Sequence, residues 1–122
     1  MDFKLELVAI PVTDVDRAKD FYVKAGFNAD HDFQVNDDLR FVQLTPAGSA
    51  CSICIGDGIT DAEPGSVKGM QCVVEDAEAA RKFLADQGIE ASEVDEQPWG
   101  HFVYFQDPDG NGWALQQIVP QG

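Results

Sequence analysis

Basic residues are scarce in this 122-residue sequence, which has 8 Lys and Arg against 22 Asp and Glu and a net charge of −14. Nucleic-acid binding depends on clustered Lys and Arg that neutralise phosphates, so the composition argues against a nucleic-acid partner. The acids fall in short groups such as "DHD", "NDD" and "EVDE" rather than in one tail. Such an excess is typical of a solvated surface, and it also attracts cationic ligands or partners over long range.

Long hydrophobic runs are absent as well. Hydrophobic residues make up 44% of the chain, but no run approaches the ~20 apolar residues that a membrane-spanning helix needs. The opening segment "MDFKLELVAIPV" lacks the basic region, apolar stretch and small-residue cleavage site of a secretory signal. The length suits one domain with its own core. We therefore expect a single cytoplasmic domain over residues 1–122 with no membrane partner.

Cysteine is limited to three residues. Cys51 and Cys54 form a C-x-x-C motif, "CSIC", but their flanks predict a strand rather than the helix N-terminus that a redox pair needs. Zinc would require a second ligand pair, and no Cys-Cys or Cys-His pair has suitable spacing. We expect structural thiols at these two positions and at Cys72. A Ser-His-Asp spacing, a phosphate-binding glycine loop and a paired-carboxylate motif are also missing.

What the sequence does contain is one pattern used twice: a strand, a helix and three strands. The predicted strands span 4–12, 27–35, 39–45 and 50–56 in the first half, and 68–76, 90–96, 99–106 and 112–119 in the second. One helix begins at Thr13 or Asp14 and ends at Gly26, and the other spans 76–88 and ends at Gly88. The spacing Val-x-Asp-x-x-x-Ala occurs in both halves, which indicates internal duplication.

Two motifs link this pattern to a known family. They are "LVAIPVTDVDRAKDFYVKAGF" at 7–27 and "WGHFVYFQDPDGNGWALQQ" at 99–117. With them, the chain resembles the vicinal oxygen chelate superfamily, the group of glyoxalases, bleomycin-resistance proteins and extradiol dioxygenases. The resemblance implies an α+β fold of two tandem βαβββ modules that form a curved mixed β-sheet cup. The first module would span about 1–56 and the second about 68–122, with 57–67 as a linker.

In that family, metal-dependent members carry four ligands on inward-facing strand positions. The corresponding positions here hold Leu7, Ser52, Gly69 and Ala114, and a divalent ion needs several N, O or S donors. We therefore expect neither the usual metal site nor a cofactor. A displaced site would have to use Gln71, Gln116, His101 or Glu6.

The resemblance also implies a small-molecule site between the modules. Its candidate lining residues are Leu7, Ala9, Phe41, Ser52, Cys54, Gln71, Trp99, His101, Tyr104, Ala114 and Gln116. Ala114 and Gln116 are expected to face the cup, whereas Trp113 and Leu115 face the other way. Trp99 could stack on a planar ligand at the rim or close the core at a sheet end. His101 could be a general base or an ordinary hydrogen-bonded residue.

Two functions fit these observations. A metal-independent binding protein of the bleomycin-resistance kind would sequester a small, planar or cationic molecule. Alternatively, a glyoxalase-like lyase, isomerase or dioxygenase would use a displaced divalent metal or metal-free acid–base chemistry, and a duplicated scaffold that has lost its ligand is a third reading. Family members of this length commonly form dimers, and some exchange modules so that both chains contribute to each cup. We expect a homodimer with two equivalent sites.

Overall fold

The computed structural model describes residues 1–120 and contains two helices and eight strands. The first half comprises β1 (Leu7–Ala9), α1 (Val15–Lys24), β2 (Phe27–Asn36), β3 (Leu39–Pro46) and β4 (Ser52–Asp57). The second half comprises β5 (Met70–Val74), α2 (Ala77–Asp86), β6 (Asp95–Gln97), β7 (Gly100–Gln106) and β8 (Gly112–Gln117). The expected α+β fold of two tandem βαβββ modules is confirmed.

Each half forms a four-stranded sheet of the same topology. The strand orders are β1-β4-β3-β2 and β5-β8-β7-β6. In each sheet the first strand pairs in parallel with the last strand of its half, and the other pairs are antiparallel. The helix between the first two strands of each half therefore crosses one face of its own sheet.

The helix ends follow from local chemistry. Asp14 caps α1 by accepting a hydrogen bond from the Arg17 backbone N–H at 3.0 Å, and Asp76 caps α2 in the same way. Gly26, with φ of 99°, lies just after the C-cap of α1 in a left-handed conformation that glycine adopts readily. These helix boundaries were readable from the sequence.

Two strands are shorter than the sequence predicts. β1 was expected at 4–12 but pairs only over Leu7–Ala9, because its one neighbour, β4, begins at Ser52. β6 was expected near 90–96 but spans Asp95–Gln97. Just before it, the Ser92 hydroxyl accepts from the Tyr104 N–H at 2.9 Å, in place of a backbone ladder bond.

The core joins the two modules. Ile53 and Ile55 are buried beneath α1. Trp113 of β8 packs edge-on against Tyr22 of α1 and against Phe27 of β2, with ring centroids 5.7 and 5.4 Å apart. One continuous hydrophobic cluster thus contains the helix-facing side of both sheets. Among residues 1–120, neither helix has the length and apolarity to cross a membrane.

The "DPDGN" loop between β7 and β8 is the polar junction between the modules. Its Gly110 N–H donates to the Asp107 carbonyl at 3.0 Å, which closes a tight turn. Asp107 also accepts from the Tyr22 hydroxyl at 2.8 Å, and Asn111 donates to the Pro11 carbonyl at 2.8 Å. Burial, and then the charge of Asp107, raise the pKa of Tyr22 far above its usual range, so the phenol stays protonated and donating.

Candidate functional site

Each sheet has a second face, turned away from its helix, whose central residues Ser52, Cys54, Phe102 and Ala114 are nevertheless buried. On β4, Ile53 and Ile55 point to α1, so the alternating Ser52 and Cys54 point the other way. We call this side the first open face. On β8, Trp113 points to the core, so Ala114 and Gln116 lie on the opposite side, the second open face.

The first open face carries five of the predicted lining residues, in register on adjacent strands. Leu7 lies beside Ser52 and Ala9 beside Cys54, and Phe41 lies two positions from Gln43, which pairs with Cys54. Sequence reasoning missed the neighbours on the outer strands, because register shifts in β2 obscure which of its residues face this side. These additional residues are Asp30, His31, Phe33, Gln43 and Thr45.

A chain of polar side chains crosses the first open face. The Ser52 and Thr45 hydroxyl oxygens are 2.6 Å apart. Thr45 donates to the Asp30 carboxylate, and Gln43 Nε2 donates to Ser52 Oγ at 3.3 Å. Ser52 is only 5% exposed, so its hydroxyl is satisfied within the protein rather than by bulk water. Phe33, on the same face as these polar side chains, is an exposed aromatic ring. It stacks on His31 with ring centroids 5.6 Å apart.

The second open face carries a paired amide and a paired aromatic. Gln71 Nε2 donates to Gln116 Oε1 at 2.7 Å, and Gln116 Nε2 donates to the Trp99 carbonyl at 3.2 Å. Phe102 and Tyr104 are stacked side by side on β7 with centroids 6.1 Å apart and ring planes within 5°. The exposed Tyr104 ring, backed by the buried Phe102, therefore lies next to an oriented amide pair, with Ala114 between them in the register.

Tyr104 is also tied to Asp95 of the neighbouring strand. Its hydroxyl donates to Asp95 Oδ2 at 2.8 Å. This hydrogen bond, more than burial or the carboxylate charge, raises the pKa of Tyr104. Trp99, just before β7, is 61% exposed. It therefore stands at the edge of the second open face rather than closing the core.

His101 does not join this set. It alternates with Phe102 on β7 and pairs with Gln117, whose side chain accepts from the Ala77 N–H of α2 at 2.8 Å. His101 thus lies on the helix side of the second sheet, away from Gln71 and Gln116. The glycine at position 100 and the short β6 made the parity of this strand hard to read from sequence.

The remaining predicted residues therefore fall into two groups. Leu7, Ala9, Phe41, Ser52 and Cys54 lie on the first open face, and Gln71, Trp99, Tyr104, Ala114 and Gln116 lie on or at the edge of the second. Both faces point away from the shared core, and consequently away from each other. A single chain brings each group together but does not bring one group opposite the other.

A groove of about 1190 Å³ adjoins the second open face. It reaches from Gln71, Tyr104 and Ala114 across the start of β5 and β8 to α1, where Phe21 contributes an apolar wall. Ligand sites commonly combine apolar walls with a few orienting polar groups, and their volumes reach this order.

The positions that the family uses for metal ligands do not fit a divalent ion here. Leu7 and Ala114 carry no donor atom, and Ser52 is engaged with Thr45. Gly69 has φ of +88°, a left-handed backbone in which a ligating side chain would be strained. The alternative donors Gln71 and Gln116 bind each other. Within residues 1–120, no three His, Cys, Asp or Glu side chains are grouped closely enough to hold an ion.

Burial disfavours the reactive form of two of the three thiols. Cys51, Cys54 and Cys72 are free. Burial raises the pKa of the Cys54 and Cys72 thiols, and this opposes formation of the reactive thiolate. The "CSIC" motif is therefore part of the sheet and its preceding turn.

Comparisons with known proteins agree with this architecture. Residues 4–115 match the family described as Glyoxalase/Bleomycin resistance protein/Dioxygenase superfamily. The chain is 33% identical to TnmS3, an antibiotic binding protein from Streptomyces sp. CB03234, with a TM-score of 0.87 over 97% of this chain and 98% of that one. A glyoxalase/bleomycin resistance protein from the same organism is 34% identical, with a TM-score of 0.81 over 93% and 100%. The protein YetH of Bacillus subtilis (strain 168) is 27% identical over 115 residues, which are 90% of this chain and 94% of YetH.

Proposed function

The chain belongs to the Glyoxalase/Bleomycin resistance protein/Dioxygenase superfamily, and we propose that it is a binding protein that holds a small planar molecule between the open faces of two copies of itself. The observation that carries this proposal is the exposed Tyr104 ring on the second open face, which is held parallel to the buried Phe102 ring. An exposed ring held in this way offers stacking to a planar ligand, and the neighbouring Gln71–Gln116 pair offers polar contacts at the ligand's edge. TnmS3, a relative at 33% identity, is an antibiotic binding protein, which supports the same class of function.

A binding role, rather than metal-dependent catalysis, is supported by the residues at the family's ligand positions. Leu7, Gly69 and Ala114 leave space where metal-dependent members carry donor side chains. The histidine expected near the site, His101, lies on the helix side of β7 and has no access to the second open face. His101 is therefore not placed to act as a general base on a ligand at that face.

The direction of the two faces supports a second copy of the chain. Because the faces point away from the shared core, a ligand on the second open face of one chain needs its other wall from elsewhere. The first open face of a partner copy provides that wall, and a two-fold axis then generates two equivalent cups. Exposed apolar side chains on both faces, Leu7 at 38%, Phe33 at 56% and Val73 at 65%, support burial against a partner. The three free thiols are consistent with a reducing compartment, the cytoplasm.

A thermal-shift screen of planar aromatic compounds tests the proposal. A ligand at 100 times its dissociation constant stabilises the fold by about 2.7 kcal/mol, which a melting curve resolves readily. Tyr104→Ala and Trp99→Ala should each weaken the best hit by about tenfold. Phe83→Ala is the matched control, because Phe83 on α2 is 44% exposed and Tyr104 is 43% exposed. Equal weakening by Phe83→Ala, or none by Tyr104→Ala, would place the ligand elsewhere.

A further inference from the structure

We propose that the ligand of this site is a hydrogen-bond donor, either a planar cation or a planar molecule whose edge carries N–H and O–H groups. The inference rests on the proposed function and specifies the chemistry of its ligand. It follows from the direction of the hydrogen bonds between side chains on the two open faces. It also follows from the charges that those faces carry.

The direction of the first chain is fixed by its end. A carboxylate only accepts hydrogen bonds, so the Thr45 hydroxyl must give its single proton to Asp30. Thr45 therefore accepts from Ser52, although either oxygen could be the donor from distance alone. Ser52 donates its hydroxyl proton to Thr45, and the Ser52 oxygen accepts a hydrogen bond from Gln43 Nε2. Toward a ligand, this serine can only accept.

The same reasoning applies to Tyr104. Its hydroxyl proton is given to Asp95 Oδ2, and Asp95 Oδ1 accepts from Gln97 Nε2 at 2.9 Å. The phenol oxygen is left with acceptor capacity only. Tyr104 therefore presents an aromatic ring and an accepting oxygen to a ligand. The Asp95 carboxylate lies next to it, at the other end of their hydrogen bond.

The amide pair is oriented by a backbone carbonyl. The Trp99 carbonyl only accepts, so Gln116 must direct Nε2 toward it and Oε1 toward Gln71. Gln71 then uses one N–H on Gln116 and keeps Oε1 with the other N–H. Gln43 and Gln97 likewise use one N–H each, so the amides offer a donor beside an acceptor and can fix the orientation of a ligand edge, whereas the Ser52 and Tyr104 oxygens only accept.

Charge points in the same direction. Asp30 and Asp95 lie at the ends of these hydrogen-bonded chains on the open faces, whereas Arg17, Lys24 and Lys68 line the adjoining groove. Lys4, Lys19, Arg81 and Lys82 lie on the helices or outside the strands. Arg40 is on β3, but its guanidinium binds Asp16 of α1 and Asp32 at 2.9 Å. On the open faces themselves, an anionic ligand would therefore meet two carboxylates, whereas a cation or a donor edge would meet accepting oxygens.

Three acridines of equal ring size provide the test. 9-Aminoacridine is a planar cation with N–H donors, acridine is neutral with an accepting ring nitrogen, and acridine-9-carboxylate is an anion. Fluorescence titrations of the full-length protein at about pH 8 should give 9-aminoacridine an affinity about tenfold higher than that of acridine, with the carboxylate weakest. Asp95→Asn should remove most of that advantage and change the affinity for acridine by less than about twofold.

Asp61→Asn is the control for overall charge, because Asp61 is exposed in the segment between β4 and β5. It changes the net charge by the same amount as Asp95→Asn and should leave the preference for 9-aminoacridine intact. If both variants weaken the cation equally, the preference comes from net charge and the inference is wrong. Equal or tighter binding of acridine or its carboxylate, still sensitive to Tyr104→Ala, overturns the inference but keeps the proposed function. Failure of all three probes to bind removes both.

Discussion

Tyr22 on the first helix donates its phenol proton to Asp107 in the second module, 85 positions away in sequence, across 2.8 Å. The same phenol oxygen accepts from the Trp113 indole N–H at 3.0 Å. Tyr22 is fully buried and Asp107 is 4% exposed, so neither partner can replace the other with bulk water.

Removing this phenol should destabilise the whole chain. Tyr22→Phe leaves a buried carboxylate oxygen and a buried indole N–H with one partner fewer, and we expect a loss of about 2 to 3 kcal/mol in the free energy of unfolding. Urea denaturation followed by tryptophan fluorescence measures it. Tyr104→Phe, which deletes an exposed phenol, should change the same quantity by less than about 1 kcal/mol. Equal losses in the two variants would contradict the role of the Tyr22–Asp107 contact.

Asp32 should give a pH-dependent contribution to stability. Hydrogen bonds from Arg40 and Lys19 hold the pKa of Asp32 well below its usual range. A depressed folded-state pKa adds stability above the unfolded value of about 3.9, and this is lost as the pH falls toward the folded value. Asp32→Asn should therefore destabilise the protein by about 0.5 to 1 kcal/mol at neutral pH and progressively less below about pH 4.

Urea titrations at several pH values between neutral and about pH 3 measure this difference. Asp37→Asn provides the comparison, since Asp37 lies exposed in the turn between β2 and β3. A difference for Asp32→Asn that stays constant down to the lowest pH would show that the ion pair does not supply the contribution.

The shared cup makes a prediction about mixed dimers. Ala9→Trp obstructs the first open face and Gln71→Trp the second, and both positions are exposed in the single chain. Each variant alone should lose binding of 9-aminoacridine, the expected probe, while remaining dimeric by size exclusion. Co-expression of the two should restore about a quarter of the cups, because half the dimers are mixed and each has one cup built from two unaltered faces. No recovery would mean that one chain supplies both walls.

Metal analysis separates binding from metal-dependent catalysis. Because Leu7, Gly69 and Ala114 offer no donor side chain, we expect protein purified without chelator to contain far less than one equivalent of nickel, zinc, iron or manganese by mass spectrometry. EDTA should leave the melting temperature and the probe affinity unchanged. A stoichiometric metal whose removal abolishes binding would contradict the proposed function.

Much of the fold was readable because its signals are local. Asp14 and Asp76 mark helix starts by side-chain capping, and Gly26 marks a helix end by its left-handed backbone. Each of these signals depends only on residues a few positions away in the sequence. The alternation on β8 likewise identified Trp113 as a core residue and placed Ala114 on the opposite side of the strand.

The site was less predictable because it depends on parity and on packing between modules. Register shifts in β2 near Ala29 and Gln34 break the two-residue period, and this hid Asp30 and Phe33. For His101, the lone glycine and the three-residue β6 gave no periodicity to count from. The two-residue alternation shows that a strand has two faces, but it does not show which face packs on the other module. The Tyr22–Trp113 contact decides this, and no local sequence pattern predicts that contact.

The loop at Asp107 has a consequence for ligand size. One of its carboxylate oxygens receives the backbone N–H groups of Asp109 and Asn111, and the other receives Tyr22 and the Asn111 amide, so four donors from both halves converge on a single side chain. These four hydrogen bonds leave little freedom for hinge motion between the two modules of a chain. In the proposed dimer, a bulkier ligand would be accommodated by sliding one subunit against the other. The size of the ligand would then be coupled to the affinity between the subunits.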